Sequence, residues 1–169
     1  LPPRCLRLIP IGSRDRPADL TRLLMIRLGS AAPLLIVLAG GRSTRMGRDK
    51  ALLEVDGIPL WRRQRDLLHA AGAAEIFLSA RPEFEWAHAV TAFSAVLYDA
   101  TPDCGPLMGI AAGLERASFP WLGVVAVDLP ALTPSWFREL RSQAAPGVGV
   151  VGRNGDHFEP LAAVYPVEI

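Results

Sequence analysis

The stretch from Trp121 to Val127, reading WLGVVAV, narrows the possible fold more than any other segment. It carries no charged or amide side chain, so neither face of a strand there is suited to water. Such a strand belongs in the middle of a sheet, with layers packed above and below it. Three further runs have strand length: Leu34 to Ala39, Glu75 to Ala80 and Ala95 to Tyr98. Between them the spacing turns helical. Leu60, Trp61, Gln64, Leu67, Leu68 and Ala71 recur at three-four intervals, with Pro59 placed to open a helix and Gly72 to close it. Residues 83–93 predict a shorter helix with Trp86 and Phe93 as core candidates, and Pro106 opens another that reaches about Ala117. Thr133 caps a fourth, beginning at Pro134 and burying Trp136, Phe137 and Leu140. Val148 to Val151 and Phe158 to Tyr165 predict two final strands with a turn at Asn154-Gly155. Strands alternating with helices predict a three-layer α/β domain around a mostly parallel sheet.

The 169 residues, half of them hydrophobic at 50%, suit one domain with one sizeable core. Eighteen basic and seventeen acidic residues leave a formal charge of +1, which supplies no global field for nucleic acid or a membrane surface. No apolar run approaches the ~20 residues of a spanning helix. Cys5 and Cys104 share no motif, and this sparse usage suggests a reducing, cytoplasmic setting. His69, His88 and His157 lack metal-ligand spacing. Residues 1–32 stand apart, with six arginines (Arg4, Arg7, Arg14, Arg16, Arg22 and Arg27) and no sustained apolar period. They predict an N-terminal extension, poorly ordered or loosely packed, ahead of a domain at 33–169.

In open α/β sheets, ligands gather beyond the carboxyl ends of the strands, near the point where strand order reverses. Several chemistry-bearing residues fall at such ends. Gly40 and Gly41 follow the run Leu34 to Ala39 and allow close backbone approach to a ligand, while Ser43, Thr44, Arg45, Arg48 and Lys50 add hydroxyls and cations. A strand feeding a glycine turn with exposed amides is a phosphate cradle. The P-loop and dinucleotide spacings are both absent. Lys50 and Arg45 are suited to neutralising a triphosphate, and the Gly40 and Gly41 amides to binding its oxygens. Ser79, Asp99 and Asp128 close the other three parallel-strand candidates. Asp128 ends the most apolar strand and is the candidate Mg2+ ligand, because that ion takes one or two carboxylates plus phosphate oxygens and water. Asp99 either helps to hold metal or ligand, or forms an Asx turn before Thr101-Pro102. Such a rim serves in-line phosphoryl transfer, which rests on positioning and charge neutralisation and requires no protein nucleophile.

The run Leu38-Ala39-Gly40-Gly41, followed by Arg45-Met46-Gly47 and then Asp49-Lys50, resembles the signature loop of nucleotidyltransferases that activate small phosphorylated metabolites. It looks most like that of the molybdenum cofactor guanylyltransferases. Gly105-Pro106-Leu107-Met108-Gly109-Ile110 with Ala112-Gly113-Leu114 is similar to that family's Gly-Pro-Leu-x-Gly helix. Asp128-Leu129-Pro130 is similar to its metal-binding Asp-x-Pro segment, and Glu159 to Tyr165 to its late strand on the acceptor side. The resemblance covers about residues 34–165. It implies a Rossmann-like nucleotidyltransferase fold, with Mg2+ as cofactor, and transfer of GMP from GTP to molybdopterin with release of pyrophosphate. It also implies that Leu38, Ala39 and Gly40 contact the guanine nucleotide and Lys50 its phosphates. By the same resemblance Asp99 contacts GTP, and Asp128 binds nucleotide and Mg2+. Ser79 stands where the family often has a nucleotide-contacting asparagine. Family members continue through another strand and terminal helices, so a chain truncated at its C-terminus is expected. Two other readings stay open: a cytidylyltransferase for molybdopterin or another phosphorylated metabolite, and a non-catalytic nucleotide-binding module. Gly41 and the Gly-Pro-Leu-x-Gly segment lean towards guanylyl transfer, and Lys50 with Asp128 towards catalysis.

Overall fold

The computed structural model describes residues 7–10, 34–39, 49–99 and 105–167. In chain order these form β1 (Arg7–Pro10), β2 (Leu34–Leu38), a 3-10 turn (Lys50–Leu52), β3 (Glu54–Val55), β4 (Ile58–Pro59), α1 (Leu60–Ala70), β5 (Glu75–Ala80) and α2 (Glu85–Ala89). Then come β6 (Ala95–Tyr98), α3 (Pro106–Arg116), β7 (Trp121–Ala126), α4 (Pro134–Gln143), β8 (Val148–Asn154) and β9 (His157–Pro166).

Seven strands make one sheet in the order β1-β8-β9-β7-β2-β5-β6. Strands β7, β2, β5 and β6 are mutually parallel. β9 runs against β7, β8 against β9, and β1 against β8, so β8 shares the direction of the parallel four. The all-apolar strand β7 occupies the middle place, as its composition demands. From β2 the chain steps outward to β5 and β6, then returns through α3 to β7 on the other side of β2. The strand order therefore reverses between β2 and β7, which opens a crevice at their carboxyl ends.

The strand pleat sorts side chains onto two faces. Val37, Ile76, Leu78, Ala80, Val125 and Val127 join a core with Leu60, Leu67 and Leu68 of α1 and Trp136, Phe137 and Leu140 of α4. Their neighbours Leu38, Phe77, Leu122 and Val124 face the opposite way and pack with Ile110 of α3. Period two in the strands and three-four spacing in the helices thus produce the three expected layers.

Three expectations need correction. Arg7–Pro10, inside the stretch expected to be loosely ordered, pairs with β8 as an edge strand. An edge strand needs only backbone pairing on one side, and Pro10 without its N–H is tolerated there, so no apolar period announces it. The last hairpin turns at Gly155-Asp156, one residue later than expected, because Asn154 still pairs with His157. Gly155 takes the left-handed φ of +59° that this turn requires. Finally, α2 covers only Glu85–Ala89, since Val90 adopts an extended conformation. At the β3–β4 connection Asp56 and Gly57 both take positive φ (55° and 74°), the signature of a tight hairpin.

Candidate active site

Strand register brings the carboxyl ends level. Leu38 pairs with Ser79 on one side and Ala126 on the other, and Ser79 pairs with Leu97. One step further, the Ala39 N–H donates to the Ser79 carbonyl at 2.9 Å, the Val127 N–H to the Leu38 carbonyl at 3.1 Å, and the Asp99 N–H to the Ala80 carbonyl at 3.2 Å. The sheet stays laced up to the point where Asp99 and Asp128 leave it. There a cavity of about 130 Å³ opens, lined by Leu38, Ala39, Lys50, Ser79, Asp99, Gly105, Pro106, Ala126, Val127, Asp128 and Leu161. Leu38, Ala39, Lys50, Ser79, Asp99 and Asp128 therefore meet in one place, as the sequence predicts. Gly40, Gly41 and Arg45 lie outside the described residues, as do Cys5 and Cys104.

At one wall the Lys50 Nζ donates to Asp128 Oδ2 at 2.8 Å. Both side chains are part exposed, 40% and 45%. An ion pair that open contributes only about 0–1 kcal/mol, so its partners exchange readily for other charges. A phosphate can take the ammonium and a cation the carboxylate.

Each partner is held from behind. Asp49 caps the 3-10 turn that carries Lys50, its Oδ1 accepting the Ala51 N–H at 3.0 Å. Its Oδ2 accepts the indole N–H of Trp86 at 2.5 Å, and Trp86 stacks on Trp61 with ring centroids 6.2 Å apart. On the Asp128 side, the Gln64 Nε2 donates to the Leu129 carbonyl at 2.8 Å and the Arg63 Nε to the Pro130 carbonyl at 3.4 Å. The sequence motif pairs Asp49 with Lys50 but assigns Asp49 no task. An aspartate just ahead of a helical turn is a favoured cap, which was the available signal. Nothing local points to Trp86.

The opposite wall is more enclosed. Ser79 is 2% exposed, and its hydroxyl donates to Asp99 Oδ1 across 3.5 Å. Burial raises the Asp99 carboxyl above its usual range, opposed by the Ser79 hydrogen bond and the Arg81 guanidinium and reinforced by Glu83. Helix α3 lies tight against this wall: a Cβ on Gly109 would sit 2.3 Å from Ser79 Oγ and 2.7 Å from Leu38 Cδ2. Gly109 thus serves close packing of helix on sheet. Leu161 enters from the antiparallel β9, a contribution that the sequence reading placed only as the acceptor-side strand. Among the described residues no helix is long and apolar enough to cross a membrane, and no three His, Cys, Asp or Glu side chains converge as a metal cage.

A doubly wound sheet with a crevice at its switch point is a Rossmann-like fold, and molecules of known structure share it. The molybdopterin-guanine dinucleotide biosynthesis protein A from Archaeoglobus fulgidus superposes with a TM-score of 0.59 at 21% identity, covering 79% of this chain and 67% of that one. The model of the MobA-like NTP transferase domain matches residues 35–169, and the chain belongs to that family. The probable molybdenum cofactor guanylyltransferase of Opitutus terrae is 44% identical over 134 residues, 78% of this chain and 65% of that protein. The corresponding protein of Natronomonas pharaonis is 38% identical over 136 residues, 79% of this chain and 67% of its own length. The chain thus spans about two thirds of the curated relatives that it matches.

Proposed function

We propose that this chain carries the nucleotidyltransferase site that moves GMP from GTP to the terminal phosphate of molybdopterin, releasing pyrophosphate. The observation that carries the reading is the Lys50–Asp128 pair, 2.8 Å apart in the crevice at the β2–β7 switch point. Relatives at up to 44% identity named for guanylyl transfer to this cofactor support the choice of substrates.

In the reaction, an oxygen of the acceptor phosphate bonds to the α-phosphorus of GTP. The bond from that phosphorus to the bridging oxygen breaks, and pyrophosphate departs with the electron pair. Lys50 leaves Asp128 and binds the outer phosphates, where it offsets charge on the leaving group. Leu38 and Ala39 receive the nucleotide from the sheet side, the Gly40 and Gly41 amides bind phosphate oxygens, and Arg45 adds a second cation. Asp99 and Ser79 form the other wall against the nucleoside. Asp128 fits a hard divalent ion, being a part-exposed carboxylate at the end of a rigid strand. When bound, Mg2+ neutralises charge that gathers on the transferring phosphoryl group.

Calorimetric titration with GTP, ATP and CTP in the presence of Mg2+ tests this reading. GTP is expected to bind tightest, and pyrophosphate release is expected when molybdopterin is added. Tightest binding of CTP would move the assignment to cytidylyl transfer. Binding without release would leave a nucleotide-binding module, and no binding of any triphosphate would remove the proposal.

A further inference from the structure

Gln64 is the most anomalous side chain outside the crevice. It lies on the apolar face of α1 between Leu60 and Leu67-Leu68, and it is 0% exposed. Its Nε2 reaches the Leu129 carbonyl at 2.8 Å, while its Oε1 has no donor among the described residues. A buried amide with one end unpaired is a poor way to fill a position that leucine fits. Its one bond, however, lands on the residue directly after Asp128.

The surroundings give that bond leverage. Val127 is fixed by the Leu38 carbonyl, but the backbone beyond it has left the sheet. Leu129 and Pro130 are then caught by consecutive residues of α1, Gln64 and Arg63. The same helix is tied at its start to the Lys50 turn, because the Leu60 N–H donates to the Leu53 carbonyl at 2.8 Å. Helix α1 thus sets the spacing between the two charged groups of the crevice.

We propose that Gln64 is a positioning residue for the divalent-cation site: by holding the Leu129 carbonyl it fixes the loop that presents Asp128. The inference rests on the reading of Asp128 as the metal ligand. It predicts that Gln64 governs cation capture while leaving nucleotide contacts alone, since its side chain does not line the cavity.

The test uses Gln64→Leu and Gln64→Met with Mn2+ as probe, followed by electron paramagnetic resonance of the free ion in the presence of saturating GTP. Calorimetry gives GMP affinity without metal, and thermal unfolding without metal reports the fold. Leucine continues the apolar face of α1, so Gln64→Leu is the variant expected to fold even if Gln64→Met does not. The expected result is about a tenfold weaker Mn2+ half-saturation, with GMP affinity within twofold of the unaltered protein and the thermal midpoint unchanged or raised. Superimposable Mn2+ curves would overturn the proposal. So would a parallel loss of GMP affinity or a large drop in midpoint, because either reports general loosening. Failure of the unaltered protein to take up Mn2+ with GTP would strike the metal reading of Asp128 instead, and is thereby distinguished.

Discussion

Asp128 and Asp99 occupy equivalent places, each the residue that leaves a parallel strand at the same rim, yet the fold treats them in opposite ways. Asp128 stands part exposed with a lysine ammonium at 2.8 Å, so its charge is matched and accessible. Asp99 is set against buried Ser79 beneath α3, where desolvation disfavours its ionised form. The difference shows that strand topology brings carboxylates to a rim but does not decide their chemistry. Local solvent access and the nearest cation decide which one presents an accessible charge and which one forms a hydrogen-bonded wall.

The largest break in this comparison is expected from Asp128→Asn. The amide keeps the carboxylate's shape but removes the charge, and loss of a metal anchor costs several kcal/mol in the transition state. Pyrophosphate release should fall by about 10²-fold or more, with circular dichroism unchanged. Normal turnover across a Mg2+ titration would remove Asp128 from the metal site. Next comes Lys50→Ala, expected to weaken triphosphate binding by about 1.5–3 kcal/mol, the contribution of a charge-assisted hydrogen bond. GMP binding should change far less, and calorimetry that finds equal losses for both ligands would place Lys50 away from the outer phosphates.

A smaller effect is expected from Trp86→Phe, which keeps an aromatic ring near Trp61 and deletes the N–H that Asp49 accepts. Lys50 then sits on a less constrained turn, and the KM for GTP should rise about threefold to tenfold, the value of one hydrogen bond of about 1 kcal/mol. An unchanged KM would confine the Asp49–Trp86 bond to stability.

The smallest effect belongs to Asp99→Asn and concerns pH. The folded carboxyl titrates above its ordinary value of 3.8. Between that value and the raised one, the folded protein holds more proton than the unfolded chain, so stability falls as pH rises through this window. Above the window the penalty is complete. Asp99→Asn should therefore be slightly more stable than the unaltered protein in urea at pH 7, with the gap closing as pH falls towards 3.8. A gap that widens on acidification would show that Asp99 is stabilised in its charged form.

Much of the molecule is written locally. Three-four spacing placed α1, Pro106 and Thr133-Pro134 placed the starts of α3 and α4, and the run Trp121 to Val127 placed the central strand, because each depends on neighbours in the chain. Of the residues that line the cavity, Ser79, Asp99 and Asp128 were legible for a related reason, whereas Leu38, Ala39 and Lys50 were picked out by the signature loop. Strand ends are readable from apolar runs, and parallel strands put their ends on one rim. Tertiary structure alone decided the rest. The pairing of Arg7–Pro10 with β8 joins residues as distant in the chain as Arg7 and Val151. Trp86 reaches Asp49 across 37 positions and Gln64 reaches Leu129 across 65, with no periodicity to link them. Pairings over such distances depend on which surfaces the packed layers bring together. An isolated sequence specifies the side chains on each surface, but the contact between two surfaces exists only once the layers have closed.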